Sequence, residues 1–248
     1  LVLPMRRDIV ITAKQLATLD HMSGGRIELG VGIGAYREEF EALQPGERAP
    51  RGRILEEGVR ALQNLFTEDR ATLDGEFFRY EDVELFPKPL QDKIPIYFGG
   101  NNVNQLRRTA TLGNGWLPAG LPLDRITADI IRLRQLCANA GRDFSEIAIA
   151  PQYIAVVDHN HDRAVARFAS SQMHKHLVSL TQSTLKEQTG VSMVEANLIG
   201  TPAEVVEKAL ALKAAGVTHL LGLYFAVNTV EELLDQMTLF AEEVVPLL

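Results

Sequence analysis

Two hydrophobic periods alternate along this chain, a strand-like period of two and a helix-like period of 3.6. Leu1-Val2-Leu3 is a short apolar run that reads as the end of a strand. Ile9 to Leu19 follows with helical spacing until Ser23-Gly24-Gly25 stops it. Ile27 to Ile33 predicts a strand. A loop containing Pro45, Gly46 and Pro50 then leads to a helix on which Ile54, Leu55, Val59, Leu62, Leu65 and Phe66 share one face. Thr72 to Leu85 holds two β-prone pieces and predicts a hairpin. Ile94 to Phe98 predicts a strand closed by Gly99-Gly100, Val103 to Leu112 a helix, and Trp116-Leu117 a short strand. Asp124 is placed to cap a helix that Gly141 terminates. Ile147 to Val157 is strand-like, and the polar stretch that follows, near 159–200, predicts a helical excursion. Thr201-Pro202-Ala203-Glu204 supplies a cap, a proline at the first helical position and a glutamate that answers the cap; Gly216 ends that helix. His219 to Phe225 predicts a strand. Thr229 to Val245 predicts a last helix, with Glu232 completing its cap.

Six strands, each followed by a helix, imply a parallel sheet covered by helices, an α/β fold. No Ser/Gly/Pro-rich linker divides the chain, so 1–248 reads as a single domain. A closed (β/α)8 barrel has eight strands. Six strands and a start within a strand predict such a barrel with about two N-terminal units lacking. An open doubly wound sheet would be complete with six.

Composition narrows the classes. There are 248 residues, 46% hydrophobic and 23% charged, which is enough apolar material for a full core. A net charge of −7 without a basic cluster argues against a nucleic-acid partner. Apolar stretches are too short for a membrane span, and one cysteine, Cys137, excludes an internal disulfide. A cytoplasmic protein is expected.

Three segments carry candidate chemistry. In Gly30-Val31-Gly32-Ile33-Gly34-Ala35 the alternation of a strand sends Ile27, Leu29, Val31 and Ile33 to one face. The glycines leave the other face bare, so a planar ligand can lie against the backbone, or the strand is simply thinned for close packing. The string also matches a loose dinucleotide fingerprint, but prolines interrupt the helix that should follow at once. Gly99-Gly100-Asn101-Asn102 stands between a strand and a helix. The first amides of that helix favour a phosphate, and Arg107 and Arg108 would add charge. On the plainer reading it is only a turn with Asn102 as N-cap. In Gly113-Asn114-Gly115-Trp116-Leu117-Pro118 the tryptophan walls a ring-binding pocket or belongs to the core. The pairs His159/His161 and His174/His176 lack a third neighbour, and no metal site is expected. Cys137 reads as packing, and no nucleophile elbow or P-loop is present.

At these segments the sequence resembles the bacterial luciferase-like monooxygenase family, especially its deazaflavin (coenzyme F-420) oxidoreductase branch. The resemblance runs through Ala13 to Asp20, Ser23-Gly24-Gly25-Arg26, Leu29 to Gly34, Glu39-Phe40, Arg51-Gly52-Arg53, Pro87-Lys88-Pro89, Ile96 to Gly100, Leu106-Arg107-Arg108 and Gly113 to Pro118. It is dense in the first half and loose in the second. It implies a (β/α)8 barrel with the cofactor, F-420 or alternatively FMN, at the C-terminal ends of the strands. By position, Gly32, Ile33, Gly34 and Ala35 would lie along the cofactor. Gly99, Gly100, Asn101, Asn102 and Val103 would hold its chain or phosphate, with Trp116 nearby. Arg51-Gly52-Arg53 receives no site role, and catalytic residues are not assigned.

The family's sugar dehydrogenases carry an acid where this chain has Ala35. That favours reduction of a small organic substrate by the reduced cofactor, or a monooxygenation. Substrate choice would reside in Glu41 to Pro50 and His159 to Gly190. A homodimer is expected from the family. The alternative from another class is a non-catalytic cofactor-binding or assembly protein built on an incomplete barrel.

Overall fold

The computed structural model describes residues 1–6, 8–43, 50–181 and 190–248. The chain divides into two compact units, Leu1–Gly115 and Trp116–Leu248.

The first unit starts with α1 (Ile9–Ser23), capped by Asp8, whose carboxylate accepts from Ile11 N at 2.9 Å. Gly24 ends α1 with φ 68°, the left-handed conformation that glycine adopts without penalty. Then come β1 (Leu29–Val31), α2 (Arg37–Leu43), α3 (Arg51–Thr67), the antiparallel pair β2 (Ala71–Asp74) and β3 (Arg79–Val83), β4 (Ile96–Gly99) and α4 (Val103–Leu112). β1 and β4 are parallel, with Leu29 opposite Ile96, Gly30 opposite Tyr97 and Val31 opposite Phe98. One core holds Leu3, Ile9, Leu29, Val31, Leu55, Val59, Leu62, Leu65, Ile96 and Phe98. α3, whose Ile54, Leu55, Val59, Leu62 and Leu65 are buried along one face, supplies much of it.

Asp20 ties α1 to the segment before β4. It is fully buried and accepts from Gln91 N at 3.0 Å and Gln91 Nε2 at 2.8 Å. Burial pushes its carboxyl pKa up. The hydrogen bonds from Gln91, and from the backbone at Leu90 and Ile27, outweigh this and hold it below the usual range. A depressed carboxyl pKa stabilises the fold in full above the unfolded-state value near 4, and that contribution is lost as pH falls from there through the lower folded-state value. Asp20→Asn should cost about 3 kcal/mol in urea unfolding at pH 7, since an amide cannot accept both donors. The parent should lose stability below about pH 4, and the variant should lack that part of the loss.

The second unit begins in β5 (Gly115–Leu117), which carries the chain across from the first. It continues through α5 (Leu123–Asn139), β6 (Ala148–Ile149), β7 (Gln152–Val157), α6 (His161–Ser170), α7 (Gln172–Leu180), β8 (Leu198–Gly200), α8 (Pro202–Ala215), β9 (Gly222–Phe225) and α9 (Val230–Glu243). β7 is central, with β8 and β9 parallel on either side of it. Ala150 N donates to Trp116 O at 2.9 Å and Gln152 N to Pro118 O at 2.8 Å, which sets this stretch alongside the end of β5.

The structure corrects several expectations. Val2 makes one parallel bridge to Gly32, and the chain then turns into a 3-10 helix over Leu3–Met5 rather than a strand, because Pro4 fixes a helical φ. Residues read as loop before Pro45 form α2, with Phe40 buried and Glu38 and Glu39 in its first turn. Pro45 and Gly46 lie outside the described residues. Asp124 is not a cap: α5 starts one residue earlier, after Pro122, without a side-chain cap. Ile147 to Val157 is two strands broken at Ala150-Pro151, where the proline has no N–H to give. The excursion is helical through α6 and α7 and closes in the strand β8. Both threonine caps are present, but only one is answered in full: Thr201 with Glu204 forms the capping box, whereas the Thr229 hydroxyl accepts from Glu232 N while the Glu232 carboxylate accepts from Asn228 N at 2.8 Å, one residue before the cap.

Candidate functional site

The register of β1 against β4 brings the first two glycine segments to one place. Val31 faces Phe98, so Gly32–Ala35 and Gly99–Val103 both leave at the C-terminal ends of adjacent parallel strands, where α/β folds place ligands. Leu29 and Val31 are buried, and Gly30 and Gly32 on the opposite face are half-buried. A Cβ placed on Gly32 would meet no atom within 4 Å. The bare face therefore borders open space and is not thinned for packing at that position.

The turn after β1 is fixed by a residue the sequence did not assign. Arg51, at the start of α3, donates through Nη1 to Gly34 O at 3.2 Å and Ile33 O at 3.4 Å. Gly34 has φ 85°, and a Cβ there would come within 3.0 Å of Val2 and 3.1 Å of Met5. Gly52 leaves room for Arg108, since its Cβ would lie 2.4 Å from Nη2. Arg108 donates to Glu56 Oε1 at 2.8 Å and to Gln105 Oε1 at 3.1 Å. Arg53 pairs with Glu76 and lies over the Phe77 ring. Arg51-Gly52-Arg53 is thus a bracket joining α3 to the β1 turn and to α4. Arg51→Met should leave the melting temperature within a few degrees while loosening the turn, and any ligand gripped there should bind about tenfold more weakly by fluorescence titration, the worth of one charge-assisted hydrogen bond.

At the end of β4, Gly100 has φ 122°, and a Cβ there would press on Gln105 at 3.2 Å. Asn102 is the N-cap of α4, and its side-chain oxygen accepts from Asn104 N at 3.0 Å and Gln105 N at 3.2 Å. Two of the helix's first amides are therefore already satisfied. What the strand end offers an anion is the positive pole of α4 together with the backbone ahead of the cap. Gly99, Gly100, Asn101, Asn102 and Val103 are all half-buried, as are Gly32, Ile33, Gly34 and Ala35. Of the two arginines expected to add charge, Arg108 is committed to Glu56; Arg107 is exposed and donates to Asn104 Oδ1 at 3.2 Å.

Gly113-Asn114-Gly115-Trp116 serves the sheet. Asn114 pairs with β4 through its own N to Ile96 O at 2.7 Å, and its side-chain oxygen accepts from Ile96 N at 3.2 Å. Trp116, which belongs to the second unit, is fully buried. Cys137 is buried in α5, and burial pushes its thiol pKa up. Among the histidines, His161 faces Glu204 at 3.1 Å, His159 faces Glu243 at 3.5 Å, and His174 meets the Phe168 ring edge-on. Among the described residues no group of three or more His, Cys, Asp or Glu could hold a metal ion.

The model of the luciferase-like monooxygenase family matches residues 1–219. The chain belongs to that family. An FMNH2-dependent dimethylsulfone monooxygenase of Pseudomonas putida is 32% identical over 245 residues, covering 89% of this chain and 67% of that protein. Its namesake from Pseudomonas fluorescens is 28% identical, covering 99% of this chain and 71% of that protein. A solved monooxygenase from Streptomyces bottropensis shares the fold with a TM-score of 0.81 at 23% identity, over 99% of this chain and 76% of that one. An F-420-dependent secondary alcohol dehydrogenase, solved with an F-420–acetone adduct, shares it at 0.77 and 22%, over 97% of this chain and 75% of that one. This luciferase-like chain is accordingly an oxidoreductase, with an α/β fold of parallel strands and helices. Both cofactors expected from the sequence occur among its relatives and structural neighbours.

Proposed function

We propose that this chain oxygenates a small organic molecule with reduced FMN, held where β1 and β4 end, on the family's (β/α)8 barrel. The observation that carries this reading is the common strand end of the two glycine segments, with open space above Gly32. The residues fit a planar group bearing a phosphate. Gly30 and Gly32 leave a strand face without side chains, on which a ring can rest. Arg51 keeps the Ile33–Gly34 turn from collapsing into that space. The positive end of α4 favours an anionic chain along Gly99–Val103. Ile33 packs on the core and covers one edge against water. When bound, the flavin supplies the electrons for oxygen chemistry, and the protein supplies binding, orientation and exclusion of water.

FMN is favoured by the two relatives whose names specify FMNH2. Oxygenation rather than dehydrogenation is favoured by Ala35, which brings no acid to the strand end. Coenzyme F-420 is the second reading, supported by the likeness to the alcohol dehydrogenase. Titration with FMN and F-420 side by side decides: FMN should bind at least tenfold more tightly, and tight F-420 binding without FMN binding would replace the first reading by the second. Failure of both to bind would support the non-catalytic alternative.

Exposed apolar side chains on α1 (Ile11, Leu19, Met22) and α9 (Val230, Leu234, Met237) support a homodimer. A cytoplasmic setting is supported by the single buried cysteine, and no described helix is long and apolar enough to cross a membrane.

A further inference from the structure

The second unit contains a cavity of about 380 Å³, lined by residues between Ala119 and Tyr224. Its floor is β7, where Tyr153 and Ile154 are buried, and Ala196. Met173, Leu177 and Leu180 from α7 wall it. The polar side chains that line it are those of Gln152, Asn197, Tyr224, Thr181, whose hydroxyl donates to Val178 O, and the exposed His176, besides the Tyr153 hydroxyl, which donates to Leu121 O. Asn197 is held at both ends of its amide: its Oδ1 accepts from Ile154 N at 3.0 Å, and its Nδ2 donates to Met193 O at 2.8 Å. Tyr224 donates to Gln152 Oε1 at 2.8 Å. That contact orients the Gln152 amide so that its N–H groups are the donors left to a guest, for among the described residues no partner of Gln152 Nε2 is found.

The surroundings are built to keep this arrangement. A Cβ on Gly222 would press on Gln152 at 3.1 Å and on Tyr224 at 3.2 Å, and one on Gly120 would lie 2.6 Å from Asn197 Oδ1. Lys208, half-buried on α8, donates to the carbonyls of Val194, Glu195 and Asn197 and braces the turn that carries Ala196 and Asn197.

We infer that this cavity binds a compact, neutral, mostly apolar molecule bearing one hydrogen-bond-accepting oxygen, which the Gln152 amide recognises. An ionised guest would lose its hydration against Met, Leu and Ile, with no carboxylate or ammonium on the wall and only the solvent-exposed His176 imidazole beside it. Volume sets the size. At roughly 30 Å³ per water-sized group the space takes about a dozen non-hydrogen atoms, well beyond dimethylsulfone. That this guest is the substrate rests on the oxygenase reading above; that the cavity binds it does not.

The test uses di-n-butyl sulfone, which has the accepting oxygens, and di-n-butyl sulfide, which lacks them, by calorimetry on the full chain. The sulfone should bind the parent more tightly than dimethylsulfone does. Gln152→Leu should weaken the sulfone about tenfold and leave the sulfide unchanged, with the same circular dichroism. Leu177→Trp, which fills the space from an exposed helix, should abolish both. Equal loss of sulfone and sulfide in Gln152→Leu, or unchanged binding in a folded Leu177→Trp, overturns the inference. FMN is titrated against the same variants. FMN binding with no cavity-dependent sulfone binding sinks this inference alone. Cavity-dependent sulfone binding without FMN or F-420 binding sinks the oxygenase reading alone.

Discussion

Gly32→Val should lower FMN affinity at least a hundredfold, about 2.7 kcal/mol, and leave the melting temperature within roughly 2 °C. Both halves follow from the same geometry. The Gly32 Cβ direction is empty out to 4 Å, and its φ is not in the left-handed region, so a β-branched residue at this strand end starts into open space. The surface that valine would occupy is the bare face on which the cofactor ring is proposed to rest. Three added methyl-sized groups there lift a planar ligand off the backbone, and the contacts of its whole face go with it. Gly100, at φ 122° and against Gln105, is a poorer place for the same question, because substitution there strains the fold as well as the site. Fluorescence quenching of FMN, with thermal unfolding of the same samples, reads both quantities.

A loss of stability as large as that at Asp20 is expected at Gly115. A Cβ at this position would lie 2.2 Å from Tyr97 Cδ1 and 2.4 Å from Cε1. Tyr97 is only 5% exposed and faces Gly30 across the β1–β4 ladder, so its ring has no free direction. Gly115→Ala should cost about 3 kcal/mol, the upper range for overpacking. For a chain of this length that is roughly a 10 °C fall in melting temperature. Gly32→Ala is the control, since the same added methyl enters open space there and should cost nothing measurable.

How far the site could be read from the sequence depends on the range of the interactions. The bare face of β1 was legible, because strand alternation is local and Leu29 and Val31 must share a side. Asn102 as a cap was legible for the same reason. The role of Arg51 was not, for its acceptor on Gly34 is 17 residues away, and Arg108 finds Glu56 across 52. A run such as Arg51-Gly52-Arg53 at a helix start shows that something is held, without showing what. β8 escaped notice because three residues give too short a pattern to separate from the helices before it. The break at Pro151 was visible in principle, since a proline within an apolar run marks an interruption. The cavity of the second unit was invisible. It is assembled from β7, α7, β9 and the turn before β8, and the hydrogen-bonded pair Gln152 and Tyr224 on its wall is 72 residues apart.

Hydrogen–deuterium exchange on the full chain, with and without saturating FMN, tests the central claim most directly, because it reports where the cofactor lies without a mutation. Peptides spanning 29–36 and 97–106 should exchange more slowly when FMN is present, with smaller changes elsewhere. Protection confined to other segments, with these two unchanged, would contradict the placement of the cofactor at the ends of β1 and β4.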